Sequence, residues 1–367
     1  MTAPAILDWL LEKENPSVRT LALRHLLGRN EQDPELVEAR AAIASMPQVR
    51  AILGAQFPRG YWIKPDRGYS PRHKATIWQL IALADLGMSI GAAQSKDPVI
   101  PSGGGALDPG VDTCTARKCR WESPGREGRS PERPPRDDTL ADKAVARGCE
   151  HVMCTALHAG IGLFSAHQHS TGIFPCLNGD LLRMLWYFGY GEHETVVRVS
   201  AVLARRVVDE GWICPRNGAH PRQRAAWRPC LWGCVKVLRG FAAIPLAARS
   251  YDVRQAIESG VAFLCAHDLS RDCGPELGDE TTHWRHFGFP LGGESDLLEA
   301  LLALVEMGVA IDQPKAVQVV VDKRLSSGAW ALEHPLANAW ADFGAQGAPN
   351  KWLTLRALRV LENVNPV

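Results

Sequence analysis

Residues 175–188 read PCLNGDLLRMLWYF, and residues 229–241 read PCLWGCVKVLRGF. Both stretches open with Pro-Cys-Leu-x-Gly, 54 residues apart, and both continue into an apolar helical period. Residues 289–298 echo residues 174–182 through a Phe-Pro pair followed by Asp-Leu-Leu. Repetition at this spacing is typical of a unit of two helices, one inner and one outer. These stretches therefore predict a fold built from repeated helix pairs.

A second repeat falls at the predicted ends of the outer helices. It reads Gln56-x-x-x-Gly60-x-Trp62, Gln168-x-x-x-Gly172-x-Phe174 and Arg324-x-x-x-Gly328-x-Trp330, with a shortened Gly211-Trp212. Glycine supplies the left-handed conformation that ends a helix, and a polar side chain can bond the exposed end groups. The aromatic ring is expected to pack beneath the next helix.

Most of the remaining chain also has a helical period. From Ala5 to Leu27 the apolar residues recur at steps of three and four, with a break near Asn15-Pro16. Further helices are predicted over Pro34–Ala55, Lys74–Leu86, Ala141–Ala166, Leu181–Phe188, Val196–Val208, Val235–Ala248, Val253–Ala266, Leu297–Met307, Ala316–Leu325 and Trp352–Glu362. No alternating pattern predicts a strand. The prediction is an all-α protein with N-terminal helices over residues 1–33 and one large domain over 34–367.

One segment inside that domain departs from the pattern. Residues 96–138 are rich in Pro, Gly and Arg and contain few large apolar side chains. Such a composition cannot bury enough surface to offset the entropy of ordering the chain. We therefore expect a disordered insertion here, without chemistry at Asp137 or Asp138.

Composition excludes several classes of protein. The 367 residues carry 41 basic and 40 acidic side chains, whereas nucleic-acid and anionic-membrane surfaces need a concentrated basic excess. No apolar run reaches the roughly 18 residues of a membrane span. Met1–Leu11 lacks the pattern of a signal peptide, so we expect a soluble, cytoplasmic protein with its ten cysteines reduced.

The Gln-x-x-x-Gly-x-Trp pattern with paired helices resembles the repeat of squalene–hopene cyclases, and the chain is similar to bacterial proteins of the prenyltransferase/squalene-cyclase-like group. The similarity runs over roughly 34–362, without the insertion. It implies an α/α toroid, in which inner helices surround a central cavity and function lies at their N-terminal ends. Because one toroid carries several chemistries, the resemblance favours a fold more strongly than a reaction.

Two acidic motifs of this group are absent. Its triterpene cyclases protonate an alkene with Asp-x-Asp-Asp, and its diphosphate-ionising enzymes use Asp-Asp-x-x-Asp; neither occurs in this chain. The nearest carboxylate at an inner helix is Asp296, accompanied by Glu294 and Glu299. Asp296 is therefore the candidate general acid.

Cysteine and histidine side chains form the next group of candidate site residues. Cys176 and Cys230 occupy matching positions ahead of two inner helices, where a helix dipole favours the thiolate form that binds metal or attacks carbon. The β subunits of prenyltransferases hold zinc with one Asp, one Cys and one His. By that resemblance Asp296, Cys230 and either His283 or His286 are candidate zinc ligands. A packing role for the cysteines stays open, because thiols are often buried as small apolar groups.

Aromatic side chains in or beside the inner helices could line a cavity for an apolar substrate, or could simply fill the core. The candidates for the substrate wall are Trp78, Trp232, Trp284 and Trp352, with Trp186 and Trp340 beside them. His73 and Lys351 precede the first and last inner helices, where they could pair with an anionic head group.

The leading hypothesis is a terpene-cyclase/prenyltransferase-like enzyme, a cyclase, isomerase or transferase, acting on a hydrophobic substrate such as an isoprenoid. A zinc-dependent transferase is the second hypothesis and would contain stoichiometric metal. The third is a non-catalytic toroid that binds a lipid or a protein. The last two also allow a partner subunit or a homo-oligomer.

Overall fold

The chain is known from a computed structural model, which describes residues 3–90, 138–208, 211–214, 229–271 and 283–364. The described residues are mostly helical, as predicted. Their α-helices are α1 (Ala3–Leu10), α2 (Pro16–His25), α3 (Pro34–Ala42), α4 (Pro47–Gly54), α5 (Thr76–Asp85), α6 (Asp138–Ala156), α7 (Pro175–Tyr187), α8 (Glu194–Ala204), α9 (Leu231–Ala242), α10 (Tyr251–Ala266), α11 (Leu297–Glu306), α12 (Pro314–Asp322) and α13 (Lys351–Leu361).

Four two-residue strands, absent from the sequence prediction, pin connecting loops. Strand β1 (Leu157–His158) pairs antiparallel with β2 (Leu163–Phe164), and β3 (Gly288–Phe289) pairs parallel with β4 (His334–Pro335). Because β3 and β4 are far apart in sequence, no local alternation announces their pairing. This parallel pair ties the loop before α11 to the loop before α13.

Helix boundaries follow proline and capping chemistry. The helix predicted over 34–55 is divided at Pro47, because proline lacks an N–H and fits only the first turn of the helix that follows. Side chains of Asn15 and Asn350 accept backbone N–H groups at the starts of α2 and α13. The predicted insertion lies outside the described residues except for Asp138, where α6 begins.

Alternate helices pack side by side in chain order. Helix α5 contacts α7, α7 contacts α9, α9 contacts α11, α11 contacts α13, and α13 contacts α2. The intervening helices α6, α8 and α10 each pack against one or more of these. Helices α1 and α2, from the region predicted as a separate N-terminal segment, contribute Ile6, Leu10 and Val18 to the same core.

The tightest of these contacts joins α7 and α9. A Cβ built on Gly179 would lie 2.3 Å from the backbone of Lys236, and one on Gly240 would lie 2.7 Å from the carbonyl oxygen of Gly179. The two glycines let the helix backbones approach, which explains why the Pro-Cys-Leu-x-Gly repeat carries a glycine at 179.

The second repeat has a structural role that the described residues make explicit. In each of four cases a buried indole Nε1 donates to the carbonyl oxygen of a residue in or just after the preceding helix. The pairs are Trp62 with Ile52 (2.7 Å), Trp212 with Leu203 (2.9 Å), Trp284 with Leu269 (2.9 Å) and Trp330 with Val320 (2.7 Å). The tryptophan thus holds the end of one helix against the next, as expected for Trp62, Trp212 and Trp330.

Phe174 departs from this repeat. Gly60 and Gly328 have positive φ, as the motif predicts, but Gly172 does not. The backbone N–H of Trp62 donates to the Thr76 side chain, and Phe164, not Phe174, donates in the same way to Asn178. Phe174 instead sits at the residue preceding α7. The structural equivalent of the motif predicted at 168–174 therefore lies about ten residues earlier, at Phe164.

Candidate functional site

A cavity of about 450 Å³ opens among the six helices α2, α5, α7, α9, α11 and α13. Most of its lining comes from the carboxyl-terminal halves of those helices. This placement differs from the expectation that function lies at the N-terminal ends of inner helices. The charged lining consists of Arg24, Arg183, Arg239, Arg356 and Arg359 with Asp85 and Glu306, which is five guanidinium groups against two carboxylates. His25 also lines the cavity; desolvation and the charge of Arg359 lower its pKa to about 4, so it is neutral at pH 7.

Three of the arginines are neutralised by carboxylates. Arg24 donates from Nε and Nη2 to the two oxygens of Glu31, at 2.6 and 2.9 Å. Arg183 Nη1 donates to Asp85 Oδ1 at 2.7 Å. Arg239 donates from Nε and Nη2 to both oxygens of Glu306, at 2.9 and 3.1 Å, and from Nη1 to Glu299 Oε1 at 2.5 Å. Burial alone would raise the pKa of Glu306, but Arg239 holds it at about 2. Such bidentate pairs are strong and fix the geometry of both partners.

Behind this layer lies a second buried charge cluster. The ammonium group of Lys236 is 2.9 Å from Glu299 Oε1 and 3.4 Å from Asp180 Oδ1, and all three residues are at most 3% exposed. Burial raises the pKa of Asp180 to about 6, although Lys236 opposes that effect. The other Asp180 oxygen, Oδ2, is buried and accepts no hydrogen bond from a described residue. The cluster links α7, α9 and α11 behind the cavity.

Arg356 is different from Arg183 and Arg239. Its side chain lies on α13 at the cavity wall, and the whole residue is 8% exposed. No described residue forms a hydrogen bond or an ion pair with its guanidinium, whose central carbon lies 4.8 Å from the ring centroid of Phe289. Burial lowers the pKa of Arg356, and the nearby carboxylates of Asp85 and Glu299 do not offset that effect. A buried cation without a directly paired carboxylate is costly.

Its neighbour Arg359 is only weakly compensated. Arg359 Nη1 is 3.9 Å from Glu306 Oε1, an oxygen that already accepts from Arg239. Burial lowers the pKa of Arg359 as well. Because residues three apart lie on the same face of a helix, Arg356 and Arg359 present two guanidinium groups together.

The apolar part of the cavity is aromatic. The rings of Phe289 and Trp352 stack at 4.8 Å with an interplanar angle of 9°, and Trp186 also lines the cavity. Trp352 is held by a 3.1 Å hydrogen bond from its Nε1 to the hydroxyl of Ser17. The cavity therefore combines cationic groups with flat apolar walls.

Of the tryptophans predicted as substrate contacts, Trp352 lines this cavity and the other three do not. Trp284 is fully buried in the helix-end bond described above. Trp78 donates from Nε1 to the carbonyl oxygen of Tyr69 at 2.7 Å, and the indole nitrogen of Trp232 is buried without a hydrogen-bond partner among the described residues.

The two predicted head-group residues also lie elsewhere. Lys351 pairs with Glu12 at 2.5 Å and lies over the ring of Trp9, which ties α13 to the N-terminal region. His73 Nδ1 is 3.0 Å from the carbonyl oxygen of Ala337. Neither lines the cavity.

Asp296 is a helix cap. Its Oδ1 accepts from Glu299 N at 2.7 Å, and its Oδ2 accepts from Gly288 N at 2.9 Å. Burial, followed by the charge of Glu299, raises the pKa of Asp296 to about 6. Both carboxylate oxygens are thus occupied by backbone donors that position α11 and strand β3.

The expectation of thiolates at Cys176 and Cys230 is corrected. Cys176 is the second residue of α7, and burial raises its pKa to about 12. Cys230 caps α9 by accepting from Gly233 N at 3.4 Å, and a hydrogen bond with Cys214, followed by burial, raises its pKa well above the ordinary value. Desolvation outweighs the helix dipole, so both thiols stay protonated at neutral pH.

The predicted zinc ligands are not assembled. Within the part of the chain that the structure describes, no three His, Cys, Asp or Glu side chains are grouped so that they could hold a metal ion. Cys230 and Asp296 instead cap different helices, and the ring of His283 stacks on that of His334 at 4.1 Å.

A separate polar cluster, away from the cavity, surrounds Glu294. Its Oε1 is 3.0 Å from Arg72 Nη2, and its Oε2 is 3.1 Å from His334 Nε2. The sequence analysis named Glu294 only as a companion of Asp296 and did not single out His334. Their proximity arises from the pairing of β3 with β4, which carries no local signature in the sequence.

In the comparison with known proteins, no protein-family model matches the chain, and no curated protein is significantly similar to it. No helix among the described residues has both the length and the apolarity needed to cross a membrane.

Proposed function

We propose that the chain is an α/α toroid whose central cavity binds an amphipathic organic anion. Two features support the toroid. Alternate helices contact one another in chain order, and six of them contribute to one cavity. In this arrangement α5, α7, α9, α11 and α13 are inner helices, and α6, α8, α10 and α12 are outer helices.

The class of ligand is inferred from the environment of Arg356. A guanidinium that is 8% exposed and forms no hydrogen bond or direct ion pair with a described residue would be stabilised by an anion that enters the cavity. Phosphate and carboxylate groups match its planar donors. The stacked rings of Phe289 and Trp352 provide the surface for an apolar body next to that head group.

An isoprenoid carrying an anionic head group, as favoured by the sequence resemblance, falls within this class. A linear alkyl chain falls within it equally, because the stacked rings of Phe289 and Trp352 offer an apolar surface without selecting one shape of ligand. The proposed ligand is therefore defined only by an anionic head group and an apolar body. It is common to a transferase, a cyclase and a lipid-binding toroid.

The test uses three probes that separate head from tail: decyl phosphate below its micellar concentration, decan-1-ol and inorganic phosphate. Isothermal titration calorimetry on the full chain is expected to show binding of decyl phosphate and at least about tenfold weaker binding of the other two, because each lacks one half of the interaction. Equal affinity for decan-1-ol would remove the anion from the proposal.

Arg356→Met is the matching variant. Loss of a charge-assisted hydrogen bond, about 1.5–3 kcal/mol, predicts roughly 10- to 150-fold weaker binding of decyl phosphate. Arg50→Gln is the control, because Arg50 is exposed on α4 and does not line the cavity. Unchanged affinity in Arg356→Met would contradict the proposal.

A further inference from the structure

The part of the cavity wall that comes from α13 lies on one face of that helix. Its residues are Trp352, Leu355, Arg356 and Arg359, which stand at positions i, i+3, i+4 and i+7 and so form a single stripe. The apolar residues come first along the stripe and the guanidinium groups come last. An amphipathic ligand on this face therefore has its apolar body toward Trp352 and its head group toward the two arginines.

The other three guanidinium groups of the lining already bind carboxylates. Arg24, Arg183 and Arg239 each donate to a carboxylate at hydrogen-bond distance. By contrast, no described residue forms a side-chain hydrogen bond with Arg356 or Arg359. The cavity therefore offers a ligand two cations that are not engaged in hydrogen bonds with the described part of the chain.

Arg359 remains available although a carboxylate lies near it. Its Nη1 is 3.9 Å from Glu306 Oε1, which is beyond hydrogen-bond distance, and both oxygens of Glu306 already accept from Arg239. The Arg359 side chain is 15% exposed. Burial lowers the pKa of Arg359, and the charges of Arg239 and Arg356 lower it further, although Glu306 opposes them. A negative charge placed beside Arg359 would relieve this repulsion.

The spacing of Arg356 and Arg359 allows one head group to reach both. Residues three apart on a helix have Cβ atoms about 5–6 Å apart, and each guanidinium offers several N–H donors. The tetrahedral oxygens of a phosphate ester can therefore accept from both side chains at once. Two positive charges are matched by a head group with two negative charges, whereas a singly charged group leaves one of them uncompensated.

We propose that the cavity selects a phosphate monoester in its dianionic form over head groups with a single charge, and that Arg359 is the residue that makes this distinction. The inference rests on the proposed binding of an amphipathic anion and adds the charge of its head group. Arg356 attracts any anion, whereas Arg359 contributes fully only when a second negative charge is present. Carboxylates, sulfate esters and phosphodiesters therefore bind less tightly than a phosphate monoester.

The test compares two ligands that share one alkyl chain and a tetrahedral head group but differ in charge: decyl phosphate and decyl sulfate, each below its micellar concentration. At pH 8 the monoester carries about two negative charges, because its second pKa lies near 6, and the sulfate ester carries one. Isothermal titration calorimetry on the full chain is expected to show at least about tenfold tighter binding of decyl phosphate. Equal affinities would overturn this inference and leave the proposed function standing, whereas binding of neither ligand would refute both.

Arg359→Gln assigns the preference to one side chain. This variant is expected to bind decyl phosphate about tenfold more weakly and decyl sulfate less than about threefold more weakly, so that most of the preference disappears. Arg50→Gln is the control, because Arg50 is exposed on α4 and does not line the cavity. A preference that survives unchanged in Arg359→Gln would overturn the role of Arg359.

Arg359→Lys separates the charge of this residue from an altered fold. Lysine keeps the positive charge as a compact ammonium group, so most of the preference for decyl phosphate is expected to remain. If Arg359→Lys lost the preference as fully as Arg359→Gln, the charge at this position would not be its source, and that result would also overturn the proposal.

Discussion

Replacing Arg356 by Met is expected to stabilise the ligand-free protein while it weakens binding of the anion. Methionine has nearly the same length as the arginine stem and fills the same space beside Phe289, but it carries no charge. The opposite signs of the two effects are what distinguish a cation kept for a ligand from a cation kept for the fold.

The magnitude follows from three contributions. Exchanging a buried charge for an apolar group is neutral or stabilising by about 1–4 kcal/mol. The contact between the guanidinium and the Phe289 ring, at 4.8 Å, is lost at a cost of about 0.5–2 kcal/mol. A sulfur–aromatic contact recovers about 0.3–1.5 kcal/mol. The midpoints of these ranges sum to an increase of about 2 kcal/mol in the free energy of unfolding.

Urea denaturation at pH 7 measures this change, with Arg183→Met as the matched comparison. Arg183 lines the same cavity but pairs with Asp85 at 2.7 Å, so its removal leaves a buried carboxylate without a partner. Arg183→Met is therefore expected to destabilise the protein by about 3–5 kcal/mol. If Arg356→Met destabilised the protein to a similar extent, the reasoning about an uncompensated cation would be refuted.

Three further predictions concern buried groups outside the cavity lining. Lys236→Met leaves two buried carboxylates without their shared cation, and thermal and urea denaturation should show a loss of about 3–5 kcal/mol; a neutral result would argue against the buried charge cluster. Gly179→Ala forces α7 and α9 apart and should cost several kcal/mol by the same assay, whereas Gly54→Ala, with open space at its Cβ, should be near neutral. For Asp296, with a folded pKa of about 6 against an ordinary value of 3.8, stability is fully present below pH 3.8 and falls as pH rises through 6. Asp296→Asn lacks this ionisation, so it should destabilise the protein more at pH 4 than at pH 7, and an equal effect at both pH values would be inconsistent with the raised pKa.

Helices and their repeat were accessible from the sequence because their signals are local. Apolar spacing located most helices within a few residues, and prolines such as Pro16 explained where one began. The Gly-x-Trp motif correctly predicted a ring packed beneath a helix at Trp62 and Trp330. Trp284 shares this role but was predicted to be a substrate contact, since it lacks the preceding glycine motif that would have identified it.

The candidate site was less accessible because it depends on contacts between distant residues. Asp296, Cys176 and Cys230 stand near helix N-termini, where capping and burial explain them as well as chemistry does. Arg356 gave one signal, a charge within a mostly apolar face of α13, but whether Arg356 is paired depends on residues from other helices. The approach of His334 to Glu294 depends in the same way on the pairing of β3 with β4.

The most direct test of the central claim is a crystal structure of the full chain with decyl phosphate. We expect a phosphate group within hydrogen-bond distance of the Arg356 guanidinium and an alkyl chain against the stacked rings of Phe289 and Trp352. A phosphate bound elsewhere, with the cavity filled by solvent alone and Arg356 in the same position, would contradict it.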